Sequence, residues 1–255
     1  MIFNHEYPIC EFDTERKAII CAANFLEKVL PEKCVLTFFR KELNAFVQEH
    51  QLPQVGYMHS EILDIPIYLY ESEGEKIAMT MPFQCSAGAA GTLEEMHAMG
   101  CNKFIICGGA GCLTGKMAVG QIMLPTSAVR DEGASYHYLP PSREVEAPAE
   151  TLEKTARALT DMGVPFTLGK TWTTDAFYRE TKEMVEKRRA EGCSMVEMET
   201  AGFYAVAKHY DLQLAQLLYA GDDVSGEAWD NRSWNSRKGI RANLIDLSVE
   251  LVKQL

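Results

Sequence analysis

The stretch SMVEMETAGFYAVA, from Ser194 to Ala207, passes from a short apolar run into a helix-like one. Because side chains alternate along an extended segment, Glu197 and Glu199 would point to one side and Met198 to the other. Helix capping explains a carboxylate at a helix start, where the dipole is positive. A carboxylate that accepts hydrogen bonds from the neighbouring hydroxyls of a sugar is the functional alternative.

Strand-like and helix-like runs alternate along the whole chain, which predicts an α/β layered fold with a largely parallel or mixed sheet. Strands are predicted at Cys34 to Phe39, Pro66 to Tyr70, Lys76 to Met81, Lys103 to Cys107, Gln121 to Val129, Phe166 to Thr173, Met195 to Met198 and Leu214 to Tyr219. Helices are predicted at Thr14 to Leu30, Ala89 to Met99, Glu150 to Met162, Asp175 to Glu191, Glu199 to His209 and Arg237 to Gln254. No repeat or linker divides the sequence, so a single domain over residues 1–255 is the simplest organisation. In such folds ligands collect at the carboxyl ends of the strands.

Composition narrows the classes of function. The chain has 255 residues, 47% of them hydrophobic, and a net charge of -11. Nucleic-acid binders usually show a basic face, so this charge argues against nucleic acid as a partner. No apolar stretch is long enough to span a bilayer, and the polar N-terminal stretch lacks a signal-peptide core. The eight cysteines include no C-x-x-C pair and suit buried thiols. We therefore expect a cytoplasmic protein without a metal site.

A second segment, FIICGGAGCLTG from Phe104 to Gly115, is a buried strand that runs into glycines. Gly108, Gly109 and Gly111 would let backbone N–H groups approach an anion or a sugar closely, and a tight turn is the alternative. The dinucleotide fingerprint does not fit, because Thr114 stands where its third glycine belongs. A P-loop does not fit either, since no Gly-Lys-Ser/Thr follows at the right spacing.

A third segment, LLYAGDDVSGEAWDNR from Leu217 to Arg232, is a strand that ends in two aspartates. A carboxylate at the carboxyl end of a strand is well placed to act as a general acid or base. Capping of a helix or a turn by Asp222 or Asp223 is the structural alternative.

Taken in this order, the segments resemble the nucleoside phosphorylase family, which contains hexameric purine nucleoside phosphorylases, uridine phosphorylases and methylthioadenosine/adenosylhomocysteine nucleosidases. The resemblance covers the chain from about Ile77 to the C-terminus. VEMETAGFYAVA resembles the family's ribose-binding Glu-Met-Glu segment, GKTWTTDAFYRE its base-stacking segment and YAGDD the strand that carries its general acid. The fold that this implies is a three-layer α/β/α sandwich around a distorted mixed sheet.

The resemblance implies a sugar site in the Glu-Met-Glu segment. Glu199 would bind the 2′- and 3′-hydroxyls of ribose, Met198 would pack against the sugar, and Glu197 would shape the site. Family sites borrow residues from a neighbouring chain, so a homodimer or homohexamer is implied. His5 falls where a neighbour's histidine would bind the 5′-hydroxyl, but an exposed position in the tail is the preferred explanation.

The resemblance also implies how the base is held. Phe177, followed by Tyr178, would stack on the base, and Asp222 would protonate N7 of a purine or orient the leaving base. Uridine phosphorylases read uracil with a glutamine and an arginine, and here those places hold Thr181 and Glu183. That difference favours a purine or a broader base preference.

The phosphate side departs from the family pattern. Leu43 and Ile106 stand where family arginines bind phosphate, and Gly109 replaces a serine or threonine. Arg40 and the backbone N–H groups of Gly108 to Gly111 are the anion ligands that remain. Because the three segments occur in the family's order, phosphorolysis, with inorganic phosphate as co-substrate and no organic cofactor, is the first hypothesis. The missing arginines favour two alternatives, which are hydrolysis by water on the same scaffold and a non-catalytic nucleoside-binding protein.

The segment after Asp222 holds two further groups of interest. Purine phosphorylases use an arginine downstream of the acid to position it, and Arg232 and Arg237 bracket that region. Trp229 and Trp234 would either cover the site as a lid or pack under a long loop.

Overall fold

The computed structural model describes residues 1–234 and 238–255. Within these ranges the strands form a small antiparallel pair near the N-terminus and one large mixed sheet. The small pair consists of β1 (Ile2–Phe3) and β2 (Phe12–Asp13). The strands of the large sheet are β3 (Lys33–Thr37), β4 (Gln54–Met58), β5 (Ile65–Ser72), β6 (Glu75–Thr80), β7 (Lys103–Cys112), β8 (Ile122–Asp131), β9 (Glu144–Glu146), β10 (Phe166–Thr174), β11 (Cys193–Glu197) and β12 (Gln213–Asp223).

The α-helices lie between these strands in sequence or follow the last of them. They are α1 (Arg40–Glu49), α2 (Cys85–Ala98), α3 (Ala149–Asp161), α4 (Lys182–Ala190), α5 (Thr200–Tyr210) and α6 (Lys238–Lys253). The strand order is β11-β10-β8-β12-β7-β3-β6-β5-β4, with β9 against β8. None of the helices in the described ranges is long and apolar enough to cross a membrane.

Alternation along β7 explains why helices cover both faces of the sheet. Phe104 and Ile106 pack on one face with side chains of α2 and α5, whereas Ile105 and Cys107 pack on the other with α1, α3 and α6. All four side chains are buried, and a strand that is buried on both faces appears in sequence as a continuous apolar run. The predicted three-layer α/β/α fold around a mixed sheet is confirmed.

Strand β11 distorts the sheet in a way that matters for the site. It pairs in parallel with β10, and it also pairs antiparallel with the end of β7 through Met195–Cys112 and Val196–Gly111. These two pairings close β7, β12, β8, β10 and β11 into a ring. The carboxyl ends of β7 and β11 are thereby brought side by side.

The predicted helix from Thr14 to Leu30 is wrong. This segment is irregular apart from a short 3-10 turn, Ala22–Asn24. Only part of its helix-like apolar period is buried: Leu26 and Leu30 pack partly against the core, whereas Ile19, Phe25 and Val29 are 100%, 74% and 66% exposed. An amphipathic helix draws most of its stability from burying its apolar face, so the period alone does not form one.

Helix α4 is shorter than the predicted helix from Asp175 to Glu191. A 3-10 turn, Phe177–Arg179, comes first, and α4 begins only after Thr181. The Thr181 hydroxyl accepts a hydrogen bond from the backbone N–H of Met184 and so caps the helix. The residues before this cap are consequently free to line a cavity. Among the elements that were not predicted at all are α1 and β4.

Candidate functional site

A cavity of about 380 Å³ lies where β7, β11 and β12 end, at the carboxyl edge of the ring of strands. It is lined by Phe38, Phe39, Gln84, Gly108, Gly109, Ala110, Gly111, Phe177, Glu180, Val196, Glu197, Met198, Glu199, Gln216, Leu218, Gly221, Asp222, Trp234 and Arg241. The three sequence segments that were singled out thus meet at one place. Of the predicted site residues, Arg40, Tyr178 and His5 are not among those that line it.

Glu197 is bound entirely within the protein. Its Oε2 accepts hydrogen bonds from the backbone N–H groups of Glu199 and Thr200, at 2.8 and 2.6 Å. Its Oε1 accepts from the hydroxyls of Thr173 and Thr171 on β10, at 2.6 and 3.4 Å. Burial raises the pKa of Glu197, and these hydrogen bonds oppose the increase. Glu197 therefore caps α5 and ties it to β10, so the capping explanation applies to this carboxylate.

Glu199 is also buried, with 9% of its surface exposed, but its carboxylate makes fewer bonds. Its Oε1 accepts from the backbone N–H of Cys85 at 2.9 Å. Cys85 begins α2 with φ of 64°, a left-handed conformation that is strained for a residue other than glycine. Burial, reinforced by the neighbouring Glu197, raises the pKa of Glu199 to about 8. A carboxyl group that is fixed on one side and faces a cavity is well suited to accept hydrogen bonds from a ligand.

Asp222 lies where β12 leaves its regular pairing with β7. The register shifts between Ala220 and Asp223, and such a bulge redirects the side chains within it. Asp222 lines the cavity, and its Oδ2 accepts a hydrogen bond from the indole N–H of Trp229 at 2.6 Å. Asp223 instead accepts from the backbone N–H of Ser225 at 2.7 Å. Only the first of the two aspartates is therefore directed to the cavity.

Arg232 fixes the segment that follows Asp222. Its guanidinium donates to the carbonyl oxygens of Gly221 and Asp222 at 2.8 and 3.0 Å, to that of Met117 at 2.8 Å and to Sγ of Cys112 at 2.8 Å. Arg232 thus positions the backbone that carries Asp222. Arg237, the other arginine considered for this role, lies outside the described residues.

The glycines do not form a tight turn, which was the structural alternative, because β7 continues in extended form through Gly111 to Cys112. A Cβ at Gly108 would lie 3.1 Å from the ring of Phe38, and one at Gly109 would lie 3.1 Å from the ring of Tyr219. A Cβ at Gly111 would lie 3.0 Å from Val196 on β11. The glycines therefore allow neighbouring side chains to pack directly on the strand backbone, which is exposed to the cavity.

The cavity holds one arginine that the sequence did not reveal as a site residue. Arg241 projects from α6 and is the only basic side chain among the described residues that line the cavity. Its Nε donates to the Tyr219 hydroxyl at 3.1 Å, and its guanidinium carbon lies 4.7 Å from the ring of Trp234 and 5.3 Å from that of Phe39. The carboxylate of Glu42 is 3.9 Å away.

Arg40, by contrast, begins α1 at an exposed position outside the cavity. The expectation that Arg40 is an anion ligand in this cavity is therefore corrected, and Arg241 is the guanidinium found there. Gln216 lies in the same cavity. It is 1% exposed, and its Oε1 has no hydrogen-bond partner among the described residues.

The segment from Phe177 onward forms another wall. Phe177 lines the cavity and is 48% exposed, while Tyr178 is 88% exposed and packs on Phe177 with ring centroids 4.1 Å apart. Glu180 lines the cavity as well, and its side chain was not predicted as part of the site. Burial and the nearby charge of Asp222 raise the pKa of Glu180 to about 7.

His5 lies in the exposed N-terminal segment. Its Nδ1 accepts a hydrogen bond from the backbone N–H of Tyr7 at 3.0 Å, and it does not line the cavity of its own chain. A role in the site of a neighbouring chain stays a prediction. Across residues 1–234 and 238–255, no cluster of three or more His, Cys, Asp or Glu side chains could hold a metal ion.

Comparison with known proteins gives the same family as the sequence segments. The profile of the Phosphorylase superfamily matches residues 32–252. The chain is 32% identical over 179 residues to the guanosine phosphorylase of Halorubrum lacusprofundi. The aligned region covers 63% of this chain and 73% of that protein.

Two solved structures share the fold. Uridine phosphorylase from Vibrio fischeri has a TM-score of 0.75 and 18% identity, covering 90% of this chain and 94% of that chain. AMP nucleosidase from Bacteroides thetaiotaomicron has a TM-score of 0.69 and 22% identity, covering 88% of each chain. At these identities the two structures show the fold alone. Because the family profile spans nearly the whole chain, this protein belongs to the phosphorylase superfamily, whose members are nucleoside phosphorylases and nucleosidases.

Proposed function

We propose that this enzyme cleaves the N-glycosidic bond of a purine nucleoside with phosphate, giving the free base and ribose 1-phosphate. The observation that carries the proposal is that Glu199 and Asp222, which come from different elements, line one cavity together with Phe177 and Arg241. A sugar acceptor, an acid, a stacking ring and a cation are the groups that this reaction uses.

The ribose is assigned to Glu199 and Met198. A carboxylate offers about four lone-pair sites, and the described contacts of Glu199 include only backbone donors, from Cys85 and Met198. Two adjacent hydroxyls of a ribose can donate to the remaining sites. Bond cleavage develops positive charge on the sugar, and a nearby carboxylate stabilises that charge. Met198 would pack against the sugar.

The base is assigned to Phe177 and Asp222. Stacking on an aromatic ring contributes about 1–3 kcal/mol per base. Asp222 passes a proton to N7 while the electron pair of the C1′–N9 bond moves to the base, which leaves as a neutral purine. A positioned acid of this kind accelerates such a step by about 10²–10⁴. For this transfer the base would have to displace the indole of Trp229 from Asp222, or share the carboxylate with it.

The nucleophile is assigned to the part of the cavity near Arg241. An oxygen of phosphate would form the new bond to C1′, while the guanidinium neutralises the remaining charge on the phosphate. Support for this assignment is the position of Arg241, which lies beside Tyr219 and hence next to Gly109. The name of the Halorubrum relative, guanosine phosphorylase, also favours phosphorolysis of a purine nucleoside.

Hydrolysis is the second candidate, and the charge balance of the cavity favours it. Among the described residues, four carboxylates line the cavity, those of Glu180, Glu197, Glu199 and Asp222, against one guanidinium, that of Arg241. Phosphate carries up to two negative charges at neutral pH and needs more compensation than water does. A nucleosidase would need no second arginine.

A panel of purine and pyrimidine nucleosides, followed by chromatography with and without phosphate, separates these candidates. Release of base that requires phosphate and yields ribose 1-phosphate supports the proposal. Release at equal rate without phosphate, yielding free ribose, supports the nucleosidase. Binding of nucleosides without any release would contradict both and leave a non-catalytic binding protein.

We also propose that the enzyme works as a homodimer or homohexamer, in which His5 of one chain reaches the 5′-hydroxyl bound by another. The exposed apolar side chains of the N-terminal segment, including Ile2 and Phe3 at 59% and 58%, support contact with a second copy. Sedimentation analysis would give the number of chains. His5→Ala should raise KM for nucleosides, but not for substrates that lack the 5′-hydroxyl.

A further inference from the structure

Glu180 has no role in the reaction as described so far, yet its position is unusual. It lies between the 3-10 turn Phe177–Arg179 and helix α4, and its side chain lines the cavity. Within the described residues, no hydrogen bond or ion pair is formed by its carboxyl group. A partly buried carboxyl group without a protein partner suggests that a ligand supplies the missing donor.

The surroundings of Glu180 define which part of the cavity it faces. Phe177 precedes it on the same wall, and Asp222 is the nearby charge that influences it. Both of these residues are assigned to the base. Arg241 is engaged elsewhere, with Tyr219. Because Asp222 is assigned to donate a proton to N7, Glu180 is the carboxyl group near Phe177 that is left to accept hydrogen bonds, and a base that uses it must bring N–H donors.

We propose that Glu180 accepts hydrogen bonds from N–H groups of the base, and that the cavity thereby selects 6-oxopurine nucleosides over 6-aminopurine nucleosides. This inference rests on the proposed function and narrows its substrate class. A 6-oxopurine carries a donor at N1–H, and guanine adds the donors of its 2-amino group. Adenine presents a lone pair at N1, which would face the lone pairs of an ionised carboxylate.

The neighbours of Glu180 on the same segment cannot replace it. The hydroxyl of Thr181 is used to cap α4. Glu183 lies in the first turn of that helix and is exposed, outside the cavity. Tyr178 is 88% exposed. Discrimination of the base by this segment therefore depends on Glu180, and Glu183 is a control of the same charge close by.

The test measures binding of two free bases, hypoxanthine and adenine, by calorimetry at pH 8.5, where a carboxyl group with a pKa near 7 is ionised. The wild-type enzyme should bind hypoxanthine at least about tenfold more tightly than adenine, because a site built to accept a hydrogen bond rejects the analogue that lacks the donor. Glu180→Gln should remove most of this preference, since its amide can donate to N1 of adenine. Glu183→Gln should leave it unchanged.

Turnover of inosine and adenosine is the second readout. In Glu180→Gln, the ratio of kcat/KM for inosine to that for adenosine should fall by about tenfold or more. An equal fall for both nucleosides would overturn the proposal and make Glu180 a participant in a common step, such as proton transfer. Equal binding of the two bases to the wild-type enzyme would overturn it as well.

The two readouts distinguish this inference from the proposed function. Binding of a free base needs no turnover, so a preference for hypoxanthine that depends on Glu180 would stand even if no nucleoside were cleaved. In that case the proposed reaction would be overturned, while the proposed role of Glu180 in selecting the base would stand. Cleavage of nucleosides without any dependence of selectivity on Glu180 would leave the proposed reaction standing and overturn the role of Glu180.

Discussion

The two parts of the cavity differ in how the chain builds them. The part around Glu199 comes from one strand end and the helix that follows it, β11 and α5. The part around Arg241 combines the extended backbone of β7 with Gln216 from β12, Phe39 before α1 and a guanidinium from α6. One part is contiguous in sequence, and the other is assembled by the tertiary fold.

This contrast between the two parts of the cavity shows which functional residues a short stretch of sequence can position by itself. Carboxylates with distinct tasks can be placed two residues apart, because a strand end and a helix start give each its own partners. Glu197 binds within the protein and Glu199 faces the cavity. The part around Arg241 has no such segment, so a nucleophile held there would depend on a few contacts made across the fold.

The largest effect is expected at Asp222. Asp222→Asn removes the proton donor but keeps the shape of the side chain, so kcat should fall by about 10²–10⁴ while nucleosides still bind. Base release and calorimetry measure the two quantities. Asp223→Asn is the matched control, since Asp223 binds the backbone of Ser225 and should leave turnover near the wild-type value. A wild-type rate in Asp222→Asn would move the acid to another residue.

The two glutamates should separate binding from stability. Glu199→Ala should lower kcat/KM by about 10- to 100-fold, because charge-assisted bonds to the sugar are lost. Glu197→Ala should instead lower the free energy of unfolding by about 1–3 kcal/mol, because buried donors on β10 and α5 lose their acceptor. Steady-state kinetics and urea unfolding of both variants provide the comparison. If Glu197→Ala unfolds like the wild type, Glu197 does not cap α5.

Substitutions of Arg241 and Arg40 test the part of the cavity around Arg241, which the tertiary fold assembles. Arg241→Lys keeps the charge but loses the planar fork, so KM for phosphate should rise by about tenfold while KM for the nucleoside changes little. Arg40 lies outside the cavity, so Arg40→Lys should leave KM for phosphate unchanged. The measurement is initial rate against phosphate concentration. A rise in KM for phosphate in Arg40→Lys alone would restore the expectation drawn from the sequence.

The smallest effect is a dependence of stability on pH. The pKa of Glu199 is raised from 4.5 to about 8, so the folded state binds this proton more tightly than the unfolded state does. Its contribution to stability is therefore fully present below pH 4.5 and is lost as pH rises through 8. The amide introduced by Glu199→Gln is neutral at every pH in this range. The free energy of unfolding of this variant should therefore fall less steeply as pH rises. The pKa values of Glu197 and Glu180 are raised too, so part of the fall should remain.

Urea unfolding at several pH values between about 4.5 and 8.5 measures this slope. Glu183→Gln, at an exposed position, is the control for the loss of one carboxylate. An identical slope in Glu199→Gln and the wild type would show that burial of Glu199 does not affect its proton binding.

Much of the fold could be predicted from the sequence, because most buried strands and most helices carry their own periodic signal. Lys103–Cys112 and Gln213–Asp223 are apolar runs that only a sheet covered on both faces can bury. The failure at residues 14–30 has the opposite cause. There the helical period is real, but the fold buries only part of it: Leu26 packs partly against the core, while Ile19 and Phe25 are exposed.

The residues of the candidate site also fall into two groups, those that the sequence predicts and those that only the tertiary structure reveals. Glu197, Glu199 and Asp222 could be found because each follows a strand at a recognisable spacing, although the sequence could not assign capping to Glu197 and cavity lining to Glu199. That division depends on Thr173 and Cys85, which reach these carboxylates from distant elements. Arg241 lies within a helix and carries no local motif, so only the packing of α6 against β7 reveals it. For Glu180 a signal existed, since Thr181 is a recognisable helix cap and places Glu180 just outside α4.

The hydrogen bond from Trp229 to Asp222 gives the enzyme an intrinsic optical reporter. Of the three tryptophans in the chain, Trp172 is fully buried and its indole N–H donates to Asp131, so its emission should be insensitive to ligands. Trp229 is 63% exposed and bonded to the proposed acid. A base that binds Asp222 would displace this indole or share the carboxylate with it, and either change alters the surroundings of Trp229. Tryptophan fluorescence would then follow the filling and emptying of the cavity in real time, without any label.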